Sequence, residues 1–278
     1  MGEFAQAKGK YESRFVDGDG IKTHYIEAGS GDPLILIHGG GAGADSFSNW
    51  FRCIPAYAKN FRVIAVDLVG FGKTAKPDPA QYVYTQEARN DHIIAFVQAL
   101  GLKGVNLIGN SMGGATSMGV AIKRPDLVNK VVLMGSAGLN TKIREALLPI
   151  MNYDFTRDGM IKVCKTLANK NFHIDDDLVE YRYQLSIAPD TKKGYAATMG
   201  WVKQQGGLFY EEDFIRKLSR PTLVVNGKDD LVVPLENAYR FLELIDSSWG
   251  YIIPHCGHWA MLEYPDDFTA ETTRFLKA

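Results

Sequence analysis

Val105-Asn106-Leu107-Ile108-Gly109-Asn110-Ser111-Met112-Gly113-Gly114-Ala115 begins like a buried strand and ends among small residues. A helix-like stretch, Met112–Lys123, follows at once, so the chain must turn sharply between Gly109 and Gly113. In that setting Gly109-x-Ser111-x-Gly113 matches the G-x-S-x-G nucleophile elbow. Gly109 and Gly113 let strand and helix approach closely. Ser111, at the apex, is expected in strained backbone with its hydroxyl pointing out of the sheet. The first amides of the helix, and the positive end of its dipole, would meet whatever charge forms there. A serine before a helix can also be a plain N-cap. The two readings differ in whether the hydroxyl bonds the helix or stands free.

A serine hydroxyl is a poor nucleophile until a base takes its proton. This architecture predicts the order Ser, then Asp or Glu, then His, with each partner after a late strand. "NGKDDLVVP" follows the strand-like Thr222–Val225, and "PHCGHWAMLEYP" follows Gly250–Ile253, so the order is met. Of the six histidines, His258 lies on a glycine-containing loop after the last strand and suits the base. His255, nearer the strand end, reads as a packed loop residue, and His38 as a brace for the glycine loop that it precedes. His24, His92 and His173 read as structural or solvated. Asp229 and Asp230 are adjacent and must point different ways, so only one can orient the base. Asp67 precedes the serine and suits a structural role.

Outward from the elbow, short apolar runs alternate with helix-like segments, the pattern of an α/β fold with a mostly parallel sheet. Strands are expected at Lys22–Glu27, Leu34–Ile37, Arg62–Val66, Val105–Ile108, Lys130–Met134, Thr222–Val225 and Gly250–Ile253. Several are continuous in Val, Ile and Leu, as in strands covered by helices on both faces. Helices are expected at Thr85–Leu100, Met112–Lys123, Leu235–Leu244 and Asp266–Leu276. The alternation breaks between about Thr141 and Gln205, where Arg157–Ala168, Asp176–Ile187 and Thr191–Gln204 are helical in period with no strand between them. A doubly wound chain seldom does this. The division expected is a core of 1–140 and 206–278 with a helical lid of 141–205 lying over the sheet.

The composition sets limits on partners. The 278 residues are 46% hydrophobic and 23% charged, and 31 basic against 32 acidic residues leave a net charge of -1. No basic stripe points to nucleic acid or to an anionic membrane. Apolar runs are strand-sized, far short of a membrane span, and the first residues lack a signal-peptide pattern. Cys53, Cys164 and Cys256 are widely spaced and odd in number, which implies free thiols in a reducing, cytoplasmic setting. His255, Cys256 and His258 could be read as zinc ligands, but no second cluster lies at finger-like spacing, so no metal is expected.

"LILIHGGGAGAD" carries a competing reading. Gly39-x-Gly41-x-x-Ala44 after a strand fits a dinucleotide fingerprint, with Asp67 roughly where a ribose-binding acid would stand. That would make the chain an NAD-dependent oxidoreductase. It puts the fingerprint on the wrong strand, since Lys22–Glu27 precedes it, and leaves the elbow and the histidine loop without a purpose. A hydrolase uses the same glycines: an HGGG-type loop and the residue after the nucleophile each supply an amide to an oxyanion hole. Gly40 and Met112 are the candidates. A third reading, a hydrolase fold serving as a receptor with a vestigial triad, leaves this chemistry unused.

"HGGGAGADSFSNW", "GFGKTAKPD", "GNSMGGAT", "VLMGSAGL", "GKDDLVVP" and "PHCGHWAMLEYPDDF" together resemble the α/β-hydrolases that cleave meta-ring-fission products in aromatic degradation. The likeness spans nearly the whole chain, and "NYDFTRDGM" and "QGGLFYEEDFIRKL" are most similar to the branch acting in carbazole breakdown. The resemblance implies the α/β-hydrolase fold, with the stretch 141–205 as lid. It implies Ser111 as nucleophile, His258 as base and Asp230 as the acid. Gly40 and Met112 become oxyanion donors, and Gly41, Asn49, Asn110, Arg182 and Trp259 substrate contacts. The implied reaction is hydrolysis of the C5–C6 bond of a 2-hydroxy-6-oxo-6-arylhexa-2,4-dienoate after ketonisation of the dienol. No metal or organic cofactor takes part, and the chain is expected to be a homodimer. An ordinary carboxylesterase is the alternative within the fold.

Overall fold

The computed structural model describes residues 2–278. Eight strands form one sheet: β1 (Ser13–Gly18), β2 (Ile21–Ala28), β3 (Pro33–Ile37), β4 (Arg62–Val66), β5 (Val105–Asn110), β6 (Val128–Met134), then β9 (Thr222–Gly227) and β10 (Ser248–Ile253). Two short strands, β7 (Leu139–Asn140) and β8 (Leu208–Phe209), pair separately. The order across the sheet is β1-β2-β4-β3-β5-β6-β9-β10. The β1/β2 and β2/β4 pairs are antiparallel and all the others parallel. All six residues of β5 are buried. Because successive side chains point to opposite faces, helices must cover both. The mostly parallel α/β-hydrolase architecture read from the sequence is therefore the one observed.

The register explains where a site can form. β3 is flanked by β4 on one side and β5 on the other, so the chain order reverses there, and ligands bind beyond the carboxyl ends of strands at such a switch point. Ile37 pairs with Gly109, so the glycine loop and the serine turn leave the sheet side by side. Ile253 pairs with Gly227, which brings the "KDD" and "HCGHW" loops to that same edge.

Helices follow the sequence reading with small shifts. Thr85 is not in the helix Gln86–Ala99 but caps it, its hydroxyl accepting from the Ala88 amide at 3.0 Å. Met112–Lys123, Asp176–Ile187 and Leu235–Leu244 keep the expected bounds. β1 was not foreseen; its first three residues are exposed, so it carries no alternating apolar signal. Between β7 and β8 the described chain holds only helices and turns, including Arg157–Leu167, Asp176–Ile187 and Pro189–Gln205. No helix among the described residues is long and apolar enough to cross a membrane.

Candidate active site

Ser111 follows β5 with φ 56° and ψ -118°, a left-handed conformation costly for any residue with a Cβ. Three amides hold its carbonyl: Gly114, Ala115 and Ala137, at 2.9, 3.1 and 3.0 Å. Its own amide donates to Met134 O at 3.0 Å. The hydroxyl makes no capping bond to the helix Met112–Lys123, so the plain N-cap reading fails.

His258 is buried on the loop after β10. Its Nδ1 lies 2.7 Å from Asp230 Oδ2, which assigns the proton to Nδ1. The other Asp230 oxygen accepts from the amides of Val232 and Val233, at 2.8 and 2.9 Å. Asp230 is thus buried and anchored, whereas Asp229 is exposed and accepts from Asn169 Nδ2 at 3.0 Å. The Nε2 of His258 is buried with no hydrogen-bond partner among the described residues. No bond closes between it and the Ser111 hydroxyl, although both residues line one small cavity. Catalytic contacts of this kind commonly tighten only when substrate is bound.

Gly39, Gly40, Gly41, Asn49, Asn110, Arg182 and Trp259 line that same cavity. Gly40 sits beside Met112, since a Cβ there would fall 2.5 Å from Met112 Cε. Asn49 donates to Asn110 Oδ1 at 3.2 Å. Arg182, from the helix Asp176–Ile187, is 1% exposed. It donates to Ala42 O at 3.0 Å and weakly to Asn49 Oδ1 at 3.5 Å, and it lies over the Trp259 ring at 5.2 Å. Its Nε has no partner, and no carboxylate forms a salt bridge with it among the described residues. Burial lowers its proton affinity. A guanidinium taken out of water without a counter-charge is costly and favours an incoming anion. A second, apolar cavity shares Gly40, Gly41, Ser111 and Leu167 with the first and continues along Ile143, Ile150, Met199 and Val232.

Comparison with known proteins agrees with this geometry. The α/β hydrolase fold family matches residues 32–265. A 2-hydroxy-6-oxo-6-(2'-aminophenyl)hexa-2,4-dienoic acid hydrolase from Metapseudomonas resinovorans is 56% identical over 272 residues, 98% of this chain and 93% of that one. The crystal structure of a serine hydrolase involved in carbazole degradation, the CarC enzyme, aligns with a TM-score of 0.89 at 54% identity, covering 96% of this chain and 99% of that chain. A mutant of a meta-cleavage product hydrolase from Pseudomonas fluorescens IP01, complexed with acetates, gives a TM-score of 0.88 at 32% identity over 95% and 97% of the two chains. This chain belongs to the meta-cleavage product hydrolases of the α/β-hydrolase fold.

The dinucleotide reading of the glycine loop is corrected accordingly. In this hydrolase Asp67 is buried and its oxygens are occupied: His24 Nδ1 at 2.7 Å, the Ser46 amide at 2.7 Å and the Lys73 amide at 2.8 Å. No carboxylate is left there for a ribose. His38 is buried and neutral by geometry: Nε2 accepts from the Leu68 amide at 2.9 Å, so Nδ1 carries the proton and donates to Gly39 O at 2.7 Å. Burial lowers its proton affinity. Gly39 O and Gly40 N–H belong to one planar peptide, so this bond aims the Gly40 amide. The brace expected of His38 therefore acts on one particular peptide.

Two residues of this hydrolase escaped the sequence reading. Asp45 caps the helix Ser46–Trp50 and accepts from Tyr181 Oη at 2.6 Å, tying the helix that carries Arg182 to the glycine loop. Glu263 accepts from the amides of Gly257, Trp259 and Asn169, at 2.8, 3.1 and 3.2 Å. Its carboxyl is pushed up by burial, against the pull of those donors. No local signal in the sequence separates it from an ordinary helical acid.

Proposed function

We propose that the chain hydrolyses the C5–C6 bond of 2-hydroxy-6-oxo-6-arylhexa-2,4-dienoates, giving 2-hydroxypenta-2,4-dienoate and an aromatic acid. The roles are Ser111 as nucleophile, His258 as proton carrier and Asp230 as its orienting acid. Gly40 and Met112 amides form the oxyanion hole. The observation that carries this reading is the shared cavity, in which an arginine with no counter-ion among the described residues lines the same space as Ser111 and a His258 Nε2 with no partner among them. A charged carboxylate bound there would lie along Arg182, Asn49 and Asn110, with Gly41 and Trp259 as walls. The apolar extension suits an aryl group. The relatives' named substrates support the 2-hydroxy-6-oxo dienoate frame, and the aminophenyl dienoate of the 56% identical relative supports the aryl group.

The chemistry follows from a poor leaving group. Carbon leaves only if its electron pair is delocalised. His258 Nε2 takes the proton of the 2-hydroxyl and delivers it to C5, converting the dienol to the ketone. When the C6 carbonyl is attacked, by Ser111 or by a water that His258 activates, the oxyanion is held by the Gly40 and Met112 amides. Each such donor is worth about 10²–10³ in rate. Cleavage then leaves the electron pair on C5, spread through C3=C4 onto the C2 carbonyl oxygen, where a proton from His258 gives the hydroxydienoate. If Ser111 made the attack, the acyl group it retains is released as the aromatic acid by a water that His258 deprotonates.

The segment 141–205 is proposed as the lid and 1–140 with 206–278 as the core. Support comes from the β7/β8 pair that closes the base of the helical stretch. A cytoplasmic homodimer is also proposed. Phe15 and Trp249 on the two edge strands are 44% and 55% exposed, which offers apolar surface to a second copy. The three cysteines are free and buried, consistent with a reducing compartment.

Turnover of a yellow aryl dienoate, beside hydrolysis of a nitrophenyl ester, tests the assignment. Ser111→Ala should bind the dienoate but lose most turnover. Arg182→Gln should chiefly raise KM. Full activity in Ser111→Ala, or brisk ester hydrolysis with an inert dienoate, would defeat the proposal.

A further inference from the structure

We infer that Glu263 is a positioning residue for His258, and that through it the end of the helix Arg157–Leu167 is locked to the loop that carries the base. The inference rests on the catalytic reading of Ser111 and His258 given above. Gly257 and Trp259 flank His258, and both donate their amides to the Glu263 carboxylate, one to each oxygen. The amide of His258 itself donates to Leu167 O at 2.9 Å. Three consecutive amides are thereby fixed by two partners, one from the core and one from the helical stretch. The Asn169 amide shares the Gly257 oxygen of Glu263, at 3.2 Å, and its side chain reaches Asp229. The fit is close: a Cβ on Gly257 would lie 2.5 Å from Asn169 N.

Asp230 fixes only how the imidazole turns about its own bond; the place from which it hangs is set by the backbone of 257–259. That backbone belongs to an irregular loop, where amides have no ladder partner and a buried one must find an acceptor. A single carboxylate meets two of the three. Glu263 is not among the residues lining either cavity, so it acts through His258 rather than on substrate. Leu167 lines both cavities. Displacement of the turn after Leu167, by substrate or by lid movement, is therefore transmitted directly to the base.

Glu263→Gln keeps the shape but turns one acceptor oxygen into a donor facing an amide N–H. A misplacement of about 1 Å at a reacting group can cost on the order of 10²-fold. We expect kcat for the aryl dienoate to fall by roughly 10- to 10²-fold with KM within about threefold of wild type. Labelling of Ser111 by a fluorophosphonate, a probe that needs the base but not Arg182, should slow in parallel. In a His258→Ala background the same Glu263→Gln change should have no further effect on residual turnover, because the residue through which it acts is gone. If the single variant does not fold, Glu263→Asp, which withdraws the carboxylate by one methylene, carries the same measurements. Wild-type kcat and labelling rate in folded Glu263→Gln would overturn the inference, as would an equal loss in the His258→Ala background. Retained turnover in Ser111→Ala or His258→Ala would instead overturn the catalytic reading itself, so the two failures are told apart.

Discussion

At the scale of single residues, the buried polar groups behind the glycine loop connect stability with pH. Asp67 has none of its surface exposed. Burial by itself would raise its pKa, but the His24 hydrogen bond and charge, together with the Ser46 amide, outweigh it and hold the carboxyl at about 2. An unfolded chain would bind that proton near pH 4, so between about 4 and 2 the unfolded state holds more protons and stability rises with pH. The contribution is present above the unfolded pKa and is lost as pH falls through the folded one. Asp67→Asn is expected to be less stable than wild type by about 2 kcal/mol at neutral pH. The deficit should shrink steadily as pH is lowered from about 4 to 2. Denaturant melts of both proteins across that range check it, and a deficit indifferent to pH would assign Asp67 no charge-linked role. The sequence alone could exclude Asp67 from the triad by its position before Ser111. Its partners could not be read there, because His24, Ser46 and Lys73 reach it only when the strands are assembled.

At the scale of elements, the elbow shows why a short motif is legible and its supports are not. Gly109-x-Ser111-x-Gly113 is a local demand on backbone, so it is written in adjacent residues. Gly113 sits against β3, and a Cβ there would fall 2.3 Å from Ile37 O and 2.5 Å from His38 O. Those are backbone atoms of a buried strand and its exit and cannot step aside cheaply. Gly113→Ala should force the helix Met112–Lys123 away from the sheet. The expected cost is about 1–3 kcal/mol, as for overpacking in a dense core. Turnover should fall further than stability, because the Met112 amide moves with the helix. A thermal melt and a kcat measured on the same sample test this; an unshifted melt would mean the helix tolerates the extra carbon. β1 and Glu263 illustrate the opposite case. The exposed residues of β1 leave no periodic signal. Glu263 looks like any helical acid until the "HCGHW" loop folds back over it.

At the scale of the whole molecule, distant parts of the chain meet around the buried Arg182. Phe4 lies in the helix Glu3–Ala7, and nothing in the local sequence marks it as core, yet it is 1% exposed. Its ring packs against Phe47, Phe51 and Tyr181 at centroid distances of 5.2, 5.1 and 5.1 Å. Tyr181 in turn donates to Asp45 and precedes Arg182. The N-terminal helix therefore clamps the helix Asp176–Ile187 onto the glycine loop and holds the guanidinium over the cavity. Phe4→Ala removes the centre of that clamp. A buried Phe→Ala change typically costs about 3–5 kcal/mol. Because the freed element carries Arg182 but not Ser111, Asp230 or His258, the loss should be uneven. KM for the aryl dienoate should rise, while Ser111 labelling by a small fluorophosphonate stays near the wild-type rate. If labelling falls as steeply as dienoate binding weakens, the N-terminal helix supports the whole core and not the arginine-bearing helix in particular.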